Sequence, residues 1–355
     1  MKRRIIPVFV PHKGCPHDCI FCNQKKITGV STDVSASDVE NIIEQYLKTM
    51  TDDLHIEVAF FGGSFTAIDI NIQKKLLSVA KQYVDKGRIK DIRLSTRPDC
   101  IDEVILDNLK KHKVSIIELG VQSMDDDVLE QSIRGHSQED VLNAVKLIKE
   151  YDFELGLQMM LGLPSDTEQK CIQTADKFIN LRPSFVRIYP TLVVKDTGLE
   201  SLYNESKYTP FDLDTTIEIS KKLLIKFQLE NIKVIRVGLQ TTEDISLGRD
   251  VVCGPHHPSL RELIEARIYR DYIENIIKSS NIEDSITVYV NKKNISKIVG
   301  NKKNNIIYLY ERYNVNMSVK EEDLPIDEFL FKYNEVLRKT SLGEIYKNLY
   351  DIYKI

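Results

Sequence analysis

The chain has 355 residues, with 49 Lys and Arg against 53 Asp and Glu, which gives a formal net charge of −4. This balance excludes the global basic field that attracts nucleic acid, although it is compatible with a local basic patch. Hydrophobic residues make up 42% of the chain and charged residues 29%, which supplies a core and excludes general disorder. The length suits an α/β barrel of about 200–250 residues with an appendage.

The N-terminal segment carries basic residues but only a short apolar run, Ile5–Val10. Such a run is too short for a signal peptide, and no uninterrupted apolar stretch is long enough to cross a bilayer. We therefore expect a cytoplasmic protein without a membrane partner. Thiols stay reduced in the cytoplasm, where clustered cysteines favour metal binding over disulfides.

Apolar runs alternate with helix-period segments over the first two hundred residues. The predicted strands are Ile5–Val10, Glu57–Phe61, Ile92–Ser95, Val114–Leu119, Glu154–Leu161 and Phe185–Val194. The predicted helices are Ala36–Lys48, Ile70–Lys86, Ile101–Lys111, Gln138–Tyr151 and Thr167–Leu181. This alternation predicts βαβ units and a parallel sheet, which either opens into a doubly wound sheet or curls into a barrel. Six units suit an α/β fold of the partial (β/α)6 TIM-like barrel type.

The character of the sequence changes towards the C-terminus. A helix over Leu213–Glu230 precedes a run, Val234–Leu239, that is expected to add a strand at the open edge of the sheet. We place the barrel domain at residues 1–245 and a small C-terminal α+β appendage at 246–355. The elements predicted in the appendage are a helix over Leu260–Lys278, β-runs over Ile286–Val290 and Ile306–Tyr310, and helices around Pro325–Arg338 and Leu342–Tyr353.

Three cysteines, Cys15, Cys19 and Cys22, form a compact C-x3-C-x2-C loop after the first predicted strand. One of three thiols is always left over in a disulfide scheme, so the spacing favours zinc or an iron–sulfur cluster. An iron–sulfur cubane normally takes four cysteines, so three imply an open iron or a fourth ligand from elsewhere. The alternatives are a Cys3His zinc site completed by His12 or His17, and three unrelated buried thiols.

Polar or glycine-containing segments follow each of the six predicted strands. They are the cysteine loop, Gly62-Gly63-Ser64, Thr96–Asp99, Gln122-Ser123, Pro164 and Lys195–Thr197. The carboxyl ends of parallel strands carry the functional site in this class of architecture, so we predict one site built from six loops. Glu118 and Gln122 lie at buried strand ends and need polar partners there.

Taken together, these segments resemble the radical S-adenosylmethionine (SAM) superfamily. The phrases STRPD, ELGVQS, RGH, MMLGLP and RIYPTLVVKDT resemble the radical SAM domain of the Elongator catalytic subunit and, more loosely, oxygen-independent coproporphyrinogen oxidases. The resemblance covers about residues 4–200. Three features depart from the pattern: Ser64 replaces an acidic residue, the cysteine loop is shorter than that of Elongator, and no length remains after residue 245 for an acetyltransferase domain beside the appendage.

The resemblance implies that the three cysteines hold three irons of a [4Fe-4S] cluster and that SAM binds the fourth. It assigns the SAM amine to Gly62, Gly63 and Ser64, the SAM carboxylate to Arg134, and the ribose or adenine side to Glu118, Gln122 and Gln158. The residues by themselves leave other readings open. The glycines also suit a tight strand-to-helix turn, Arg134 an internal ion pair, His136 a helix cap and Glu118 an anchor behind the site.

The expected activity is reductive cleavage of SAM, followed by abstraction of hydrogen from a substrate. A reductant such as flavodoxin or ferredoxin is the expected partner. Kinship with Elongator points to tRNA as the substrate, and the looser kinship points to a small molecule such as a tetrapyrrole. A non-catalytic zinc-bearing binding module stays an alternative, and Cys253, His256 and His257 form either a second metal site or a Pro/Gly-rich joint.

Overall fold

The computed structural model describes residues 3–10, 18–23, 34–51, 53–239 and 248–355. The chain divides into two compact units, Met1–Phe211 with Leu239–His256, and Asp212–Gly238 with His257–Ile355. Residue 245 lies outside the described residues, and the domain boundary expected there stays a prediction. In the part of the chain that is described, no helix is long and apolar enough to cross a membrane.

The first unit is built on six parallel strands, each of which pairs with the next along the chain. They are β1 (Arg3–Val10), β2 (His55–Gly62), β3 (Asp91–Thr96), β4 (Val114–Gln122), β5 (Glu154–Leu161) and β6 (Phe185–Pro190). Parallel neighbours joined by helices require crossover connections, which place all the carboxyl ends at one edge. The predicted α/β fold with a partial (β/α)6 barrel is confirmed.

Seven helices of this unit connect or follow the strands in the described residues. They are α1 (Ala36–Leu47), α2 (Ile70–Asp85), α3 (Glu103–Lys111), α4 (Asp126–Gln131), α5 (Gln138–Glu150), α6 (Glu168–Asn180) and α7 (Gly198–Asn204). Each begins after a side chain that accepts a hydrogen bond from the first turn, and Ser35 and Ser137 form full capping boxes. Such a cap contributes about 1 kcal/mol. The predicted starts at Ala36, Ile70 and Gln138 agree with the structure, whereas the helix predicted from Ile101 begins at Glu103.

The predicted sixth strand is too long. Strand β6 ends at Pro190, and Val193–Val194 forms a separate short strand, β7, antiparallel to Val251–Cys253. Many apolar side chains of the strands β1 to β6 are fully buried, as Val58 and Leu94 illustrate. Neighbouring positions of the same strands, such as Glu57 and Arg93, carry charged side chains. These lie on the other face of the strands, because successive side chains of a strand point to opposite sides.

The second unit combines helices with a four-stranded sheet in the described residues. Its helices are α8 (Leu213–Leu229), α9 (Leu260–Ser279), α10 (Ile295–Val299), α11 (Asn304–Tyr313) and α12 (Leu342–Tyr353). The strands of this sheet are β10 (Ser285–Val290), β11 (Asn316–Glu321), β12 (Glu328–Tyr333) and β13 (Val336–Ser341). Strand β8 (Lys233–Val237) lies outside this sheet, and β9 is the Val251–Cys253 strand of the first unit. The sheet has the order β11-β10-β12-β13, so the predicted α+β character is confirmed.

Two elements predicted in this unit are wrong. The strand expected over Ile306–Tyr310 is part of helix α11, in which the buried Asn305 and Leu309 stand four residues apart. The helix expected around Pro325–Arg338 is a β-hairpin, in which Phe329, Phe331 and Tyr333 are buried at alternate positions. Asn334 and Glu335 close it with positive φ angles of 44° and 64°, the requirement of a tight two-residue turn.

Candidate functional site

Cys19 lies where the segment after β1 meets the carboxyl ends of β3 and β4. Its Sγ accepts hydrogen bonds from Arg134 Nη1 at 3.1 Å and from Arg97 Nη1 at 3.8 Å. The backbone N–H of Cys22 donates to the carbonyl of Cys19 at 2.9 Å and closes a turn between the two thiols. Cys15, the first of the three predicted ligands, lies outside the described residues.

The segment that carries these two thiols is fixed by backbone contacts within the first unit. The N–H of Ile20 donates to the carbonyl of Ser132 at 3.1 Å, and the N–H of Leu199 donates to the carbonyl of Ile20 at 2.7 Å. Asn23 Nδ2 donates to the carbonyl of Lys195 at 3.3 Å. Residues distant in sequence therefore position the cysteine segment on both sides.

Arg97 follows β3 directly and is 3% exposed. Its Nε donates to Asp99 Oδ1 at 2.9 Å, and its Nη2 donates to the backbone carbonyl of Arg134. The Nη2 of Arg134 donates to the carbonyl of Gly120, while its buried Nε has no hydrogen-bond partner among the described residues. The guanidinium groups of Arg97 and Arg134 thus both contact Cys19 Sγ, and Arg134 Nε is a donor without a partner among the described residues.

His136 lies beside this pair of cations. Burial of the imidazole, followed by the charges of Arg134 and Arg97, lowers the pKa of His136 to about 3, so the ring is neutral at physiological pH. Its Nε2 donates to the carbonyl of Val121 at 3.2 Å, because a carbonyl can only accept. The side chain of Ser137 caps helix α5, so the helix-cap role considered for His136 is not observed.

Local packing and hydrogen bonding explain why glycine and serine occupy positions 62 and 64 of the Gly62-Gly63-Ser64 loop. Gly62 has a φ of 119°, and a Cβ there would lie 2.2 Å from the carbonyl oxygen of Val10, so only glycine fits. The Ser64 hydroxyl contacts Thr96 Oγ1 at 2.8 Å and accepts from the N–H of Arg97 at 3.2 Å. The loop therefore connects the carboxyl ends of β1, β2 and β3.

Gln122 lies at a register shift near the end of β4 and has a φ of 73°. Its Oε1 is buried without a hydrogen-bond partner in the described part of the chain. A Cβ on Gly120 would lie 3.0 Å from Gln122 Nε2 and 3.6 Å from Arg134 Nη2, so the two side chains border the same glycine. Gln122 and Arg134 are thereby brought together, each with one unused polar atom.

Glu118 has its charge neutralised from both sides inside the sheet. Its fully buried carboxylate accepts from Arg93 Nη1 at 3.0 Å, from Arg187 Nε at 2.6 Å and from Gln158 Nε2 at 3.3 Å. Burial acts to lower the pKa of Arg187, but the negative charge of Glu118 and the hydrogen bonds to Glu118 and Tyr189 outweigh it, so the pKa is raised. Glu118 and Gln158 therefore form a separate interior network.

Neither Arg93 nor Arg187 was predicted as a partner of Glu118, and no role was predicted for Arg97. The signal for Arg93 and Arg187 was available, because each interrupts an apolar run within a predicted buried strand. A buried charge of this kind needs an opposite charge nearby. No local feature of the sequence says that Arg97 approaches Cys19, since 78 positions separate them.

One other group of ligand-type side chains converges among the described residues, at the amino ends of β2 and β3. His55 Nε2 lies 2.5 Å from Asp91 Oδ2 and 3.6 Å from Glu57 Oε1. Glu57 also pairs with Arg93 at 3.0 Å and with Arg3 at 3.4 Å. Burial raises the pKa of Glu57, and the neighbouring cations oppose that shift. Ion pairing accounts for this group without a metal.

The polar groups around Cys19 can be tested for fit to a thiolate-bound cluster with an anionic ligand. Soft sulfur donors suit iron, and N–H groups directed at sulfur are among the features that tune iron–sulfur clusters. Two buried guanidinium groups side by side are stabilised by anions, of which Asp99 contacts Arg97. The unused Arg134 Nε suits a carboxylate, and the unused Gln122 Oε1 suits a hydroxyl or amine. The described residues fit both groups.

Two family models match the chain. The radical SAM superfamily model matches residues 9–178, and the radical SAM C-terminal domain model matches residues 183–270.

Curated relatives share part of the chain. This chain is 28% identical over 257 residues to a tRNA uridine(34) acetyltransferase of Methanocaldococcus jannaschii. The matching segment covers 61% of this chain and 47% of the relative. The chain is 33% identical over 195 residues to Elongator complex protein 3 of Drosophila melanogaster, which covers 53% and 34%, respectively. The chain spans about half the length of the tRNA uridine(34) acetyltransferases that it matches.

A solved structure shares the fold over nearly the whole chain. The archaeal Elp3 of Methanocaldococcus infernus, with an N-terminal deletion, superposes with a TM-score of 0.57 at 18% identity. The match covers 95% of this chain and 77% of that one. At this identity the comparison concerns the fold alone.

Proposed function

The chain belongs to the radical SAM superfamily of enzymes, and from that premise we propose that it uses a [4Fe-4S] cluster to cleave SAM reductively and abstract hydrogen from tRNA. The observation that carries the proposal is the environment of Cys19. There a thiol at the carboxyl edge of the sheet faces two buried guanidinium groups, and two nearby polar atoms have no hydrogen-bond partner among the described residues.

Cys15, Cys19 and Cys22 are the proposed iron ligands, and the fourth iron is left for SAM. When bound, the cluster supplies one electron to the SAM sulfonium, so that a C–S bond breaks to give methionine and a 5′-deoxyadenosyl radical. Residues of the chain orient SAM and exclude water from the site. A reducing cytoplasm, with flavodoxin or ferredoxin as electron donor, is part of the proposal because it keeps the thiols available.

The proposed SAM contacts follow from the polar atoms near Cys19. Arg134 donates through its Nε to the carboxylate of SAM, and the backbone oxygens of Gly62 and Gly63 accept from its amine. Ser64 holds that loop in place through Thr96. Gln122 faces the ribose side with its unused Oε1.

Glu118 enters the proposal as an anchor behind the site. Its carboxylate is engaged by Arg93 and Arg187, so no oxygen is left over for a ribose without breaking a buried ion pair. It also accepts from Gln158 Nε2 at 3.3 Å, which orients the Gln158 amide. Gln158 is the proposed contact to the adenine side.

The substrate class rests on the relatives. Several carry the name tRNA uridine(34) acetyltransferase, and their matching segments are 26 to 28% identical to this chain. The chain matches only about half the length of each of these relatives. We therefore propose tRNA as the substrate class and do not propose acetyl transfer. A hydrogen atom bound to carbon in tRNA is the proposed target of the radical.

The experiment purifies the full chain without oxygen, measures metal, and incubates the protein with SAM and a one-electron reductant. We expect a brown protein with about four irons per chain and formation of 5′-deoxyadenosine and methionine. A colourless protein with stoichiometric zinc and no cleavage would contradict the proposal.

The substrate is tested separately with tRNA labelled with deuterium at carbon. Transfer of deuterium into 5′-deoxyadenosine, weakened by added salt, supports tRNA. Cleavage without deuterium transfer from any tRNA of a bulk preparation would contradict that part and favour a small-molecule substrate.

A further inference from the structure

We propose that Arg97 is a positioning residue that raises the reduction potential of the cluster held by Cys19 and fixes the side chain of Cys19 through Arg134. This inference rests on the proposed function, because it concerns a cluster bound by the three cysteines. It goes beyond that function because it assigns a role to Arg97, and because it predicts how Arg97 and Asp99 affect electron transfer in opposite directions.

The contacts of Arg97 divide between two tasks. Its Nε and Nη2 donate to the Asp99 carboxylate at 2.9 and 3.0 Å, which fixes the plane of the guanidinium. Its Nη2 also donates to the backbone carbonyl of Arg134. The remaining edge presents Nη1 to Cys19 Sγ at 3.8 Å. Arg97 therefore contacts the sulfur directly and also holds the backbone of the residue that makes the shorter contact.

Arg134 completes the arrangement. Its Nη1 lies 3.1 Å from Cys19 Sγ, and its Nη2 donates to the carbonyl of Gly120. Because the carbonyl of Arg134 is held by Arg97, a change at position 97 alters the donor at position 134 as well. A lysine at position 97 could not make these contacts together, since an ammonium lacks the planar fork of donors.

The electrostatic consequence follows from burial. Arg97 and Arg134 are 3% and 6% exposed, so solvent and salt screen their charges weakly. Reduction adds one negative charge to the cluster, and nearby positive charge stabilises the reduced form. Hydrogen bonds to the ligand sulfur and local net charge are among the factors that set cluster potentials. Two guanidinium groups at one thiolate therefore ease electron uptake.

Asp99 acts in the opposite direction. Its carboxylate lies on the far side of the Arg97 guanidinium from Cys19 and offsets part of the positive charge. Removing that carboxylate leaves both guanidinium groups in the chain and makes the local charge more positive. The potential is therefore expected to fall when Arg97 is neutralised and to rise when Asp99 is neutralised.

The test is a redox titration of the reconstituted holoenzyme, followed by absorbance and by the electron paramagnetic resonance of the reduced cluster. The variants are Arg97→Gln, Arg97→Lys and Asp99→Asn, at fixed pH. Arg88→Gln is the matched control, because Arg88 is an exposed arginine and its loss changes the net charge equally.

We expect Arg97→Gln to reduce the equilibrium constant for one-electron reduction at least tenfold, which corresponds to about 59 mV. Arg97→Lys should lie between that variant and the wild type, Asp99→Asn should raise the potential, and Arg88→Gln should leave it unchanged.

An Arg97→Gln protein with four irons and an unchanged potential would overturn the inference while leaving the proposed function intact. If Arg97→Gln binds too little iron to titrate, Asp99→Asn decides: a raised potential supports the inference, and an unchanged or lowered one contradicts it. Failure of the wild-type protein to bind a four-iron cluster would instead overturn the proposed function.

Discussion

Buried charges are arranged differently in the interior of the parallel sheet and at its carboxyl edge. In the interior the charges alternate in sign, with Arg93 between Glu57 and Glu118, and Arg187 on the other side of Glu118. At the carboxyl edge two charges of the same sign, Arg97 and Arg134, meet at the sulfur of Cys19.

The charges around Glu118 neutralise one another within the protein. The arginines at Cys19 are instead suited to bind an external anion. Buried ion pairs neutralise each other locally, although they add little net stability over apolar packing. At the carboxyl edge Arg97 pairs with Asp99, and the guanidinium groups of Arg97 and Arg134 both donate to the sulfur of Cys19. We therefore expect an anionic ligand to contribute more to stability at the carboxyl edge than in the interior of the sheet.

The largest expected effect is at the proposed iron ligands. Cys22→Ala should abolish both cluster binding and SAM cleavage, because an iron without its thiolate is not retained in the site. Iron analysis and chromatography of 5′-deoxyadenosine measure the two losses. Cys171→Ala is the control, since Cys171 is buried against Asp166 and lies outside the cysteine loop. Cleavage retained by Cys22→Ala would mean that the ligands are misassigned.

The interior network is tested by removing its central charge. Glu118→Gln should lower the free energy of unfolding by about 3–5 kcal/mol, because Arg93 and Arg187 lose their shared buried partner. Urea denaturation followed by circular dichroism measures the change. Glu154→Gln is the matched control, because its carboxylate is one-third exposed and 4.0 Å from Arg3, and the expected cost is about 0–1 kcal/mol. Equal costs for the two variants would contradict the assignment of Glu118 to a buried ion-pair network.

The positioning of the cysteine segment is tested at Gly198. A Cβ there would lie 2.9 Å from Ile20 Cγ1, so Gly198→Ala should cost about 1–3 kcal/mol and reduce iron occupancy. Ile20→Ala removes the opposing atom, and the double variant should lose less than the sum of the single ones. Gly343→Ala serves as control, since a Cβ there meets nothing within 4 Å. Strict additivity in the double variant would argue against direct packing of this segment on α7.

The smallest expected effect concerns His136 at the charged edge. The pKa of His136 is lowered to about 3 in the folded chain, so the unfolded chain binds the extra proton first as the pH falls. The stability contribution is complete above the ordinary histidine pKa of about 6.5 and is lost as the pH falls towards 3.

Between pH 7 and pH 6 the titration of His136 should lower the free energy of unfolding of the wild type by about 0.7 kcal/mol. His136→Gln should remove that decrease. Denaturation of both proteins at the two pH values measures the difference. An identical pH dependence would mean that burial and the charges of Arg134 and Arg97 do not lower the pKa of His136 in the folded chain.

Much of the first unit could be predicted from the sequence because its signals are local. Apolar runs of strand length alternate with capped helical segments, and side chains such as Ser35 and Ser137 mark where helices begin. The spacing of three cysteines within eight residues favours zinc or an iron–sulfur cluster, and this ligand set stays a prediction. The second unit was harder, because the Phe329–Tyr333 pattern has a period of two that only the turn at Asn334 and Glu335 makes into a hairpin.

By itself the sequence determined the order of the six parallel strands, the placement of polar segments at their carboxyl ends and the spacing of the three thiols along the chain. Only the tertiary structure decided which polar groups meet. Arg97 and Arg134 reach Cys19 across 78 and 115 positions of sequence, and Glu118 pairs with Arg187 across 69. Local patterns fix backbone conformation, whereas the pairing of buried charges depends on strand register and helix packing, which no short stretch of sequence contains.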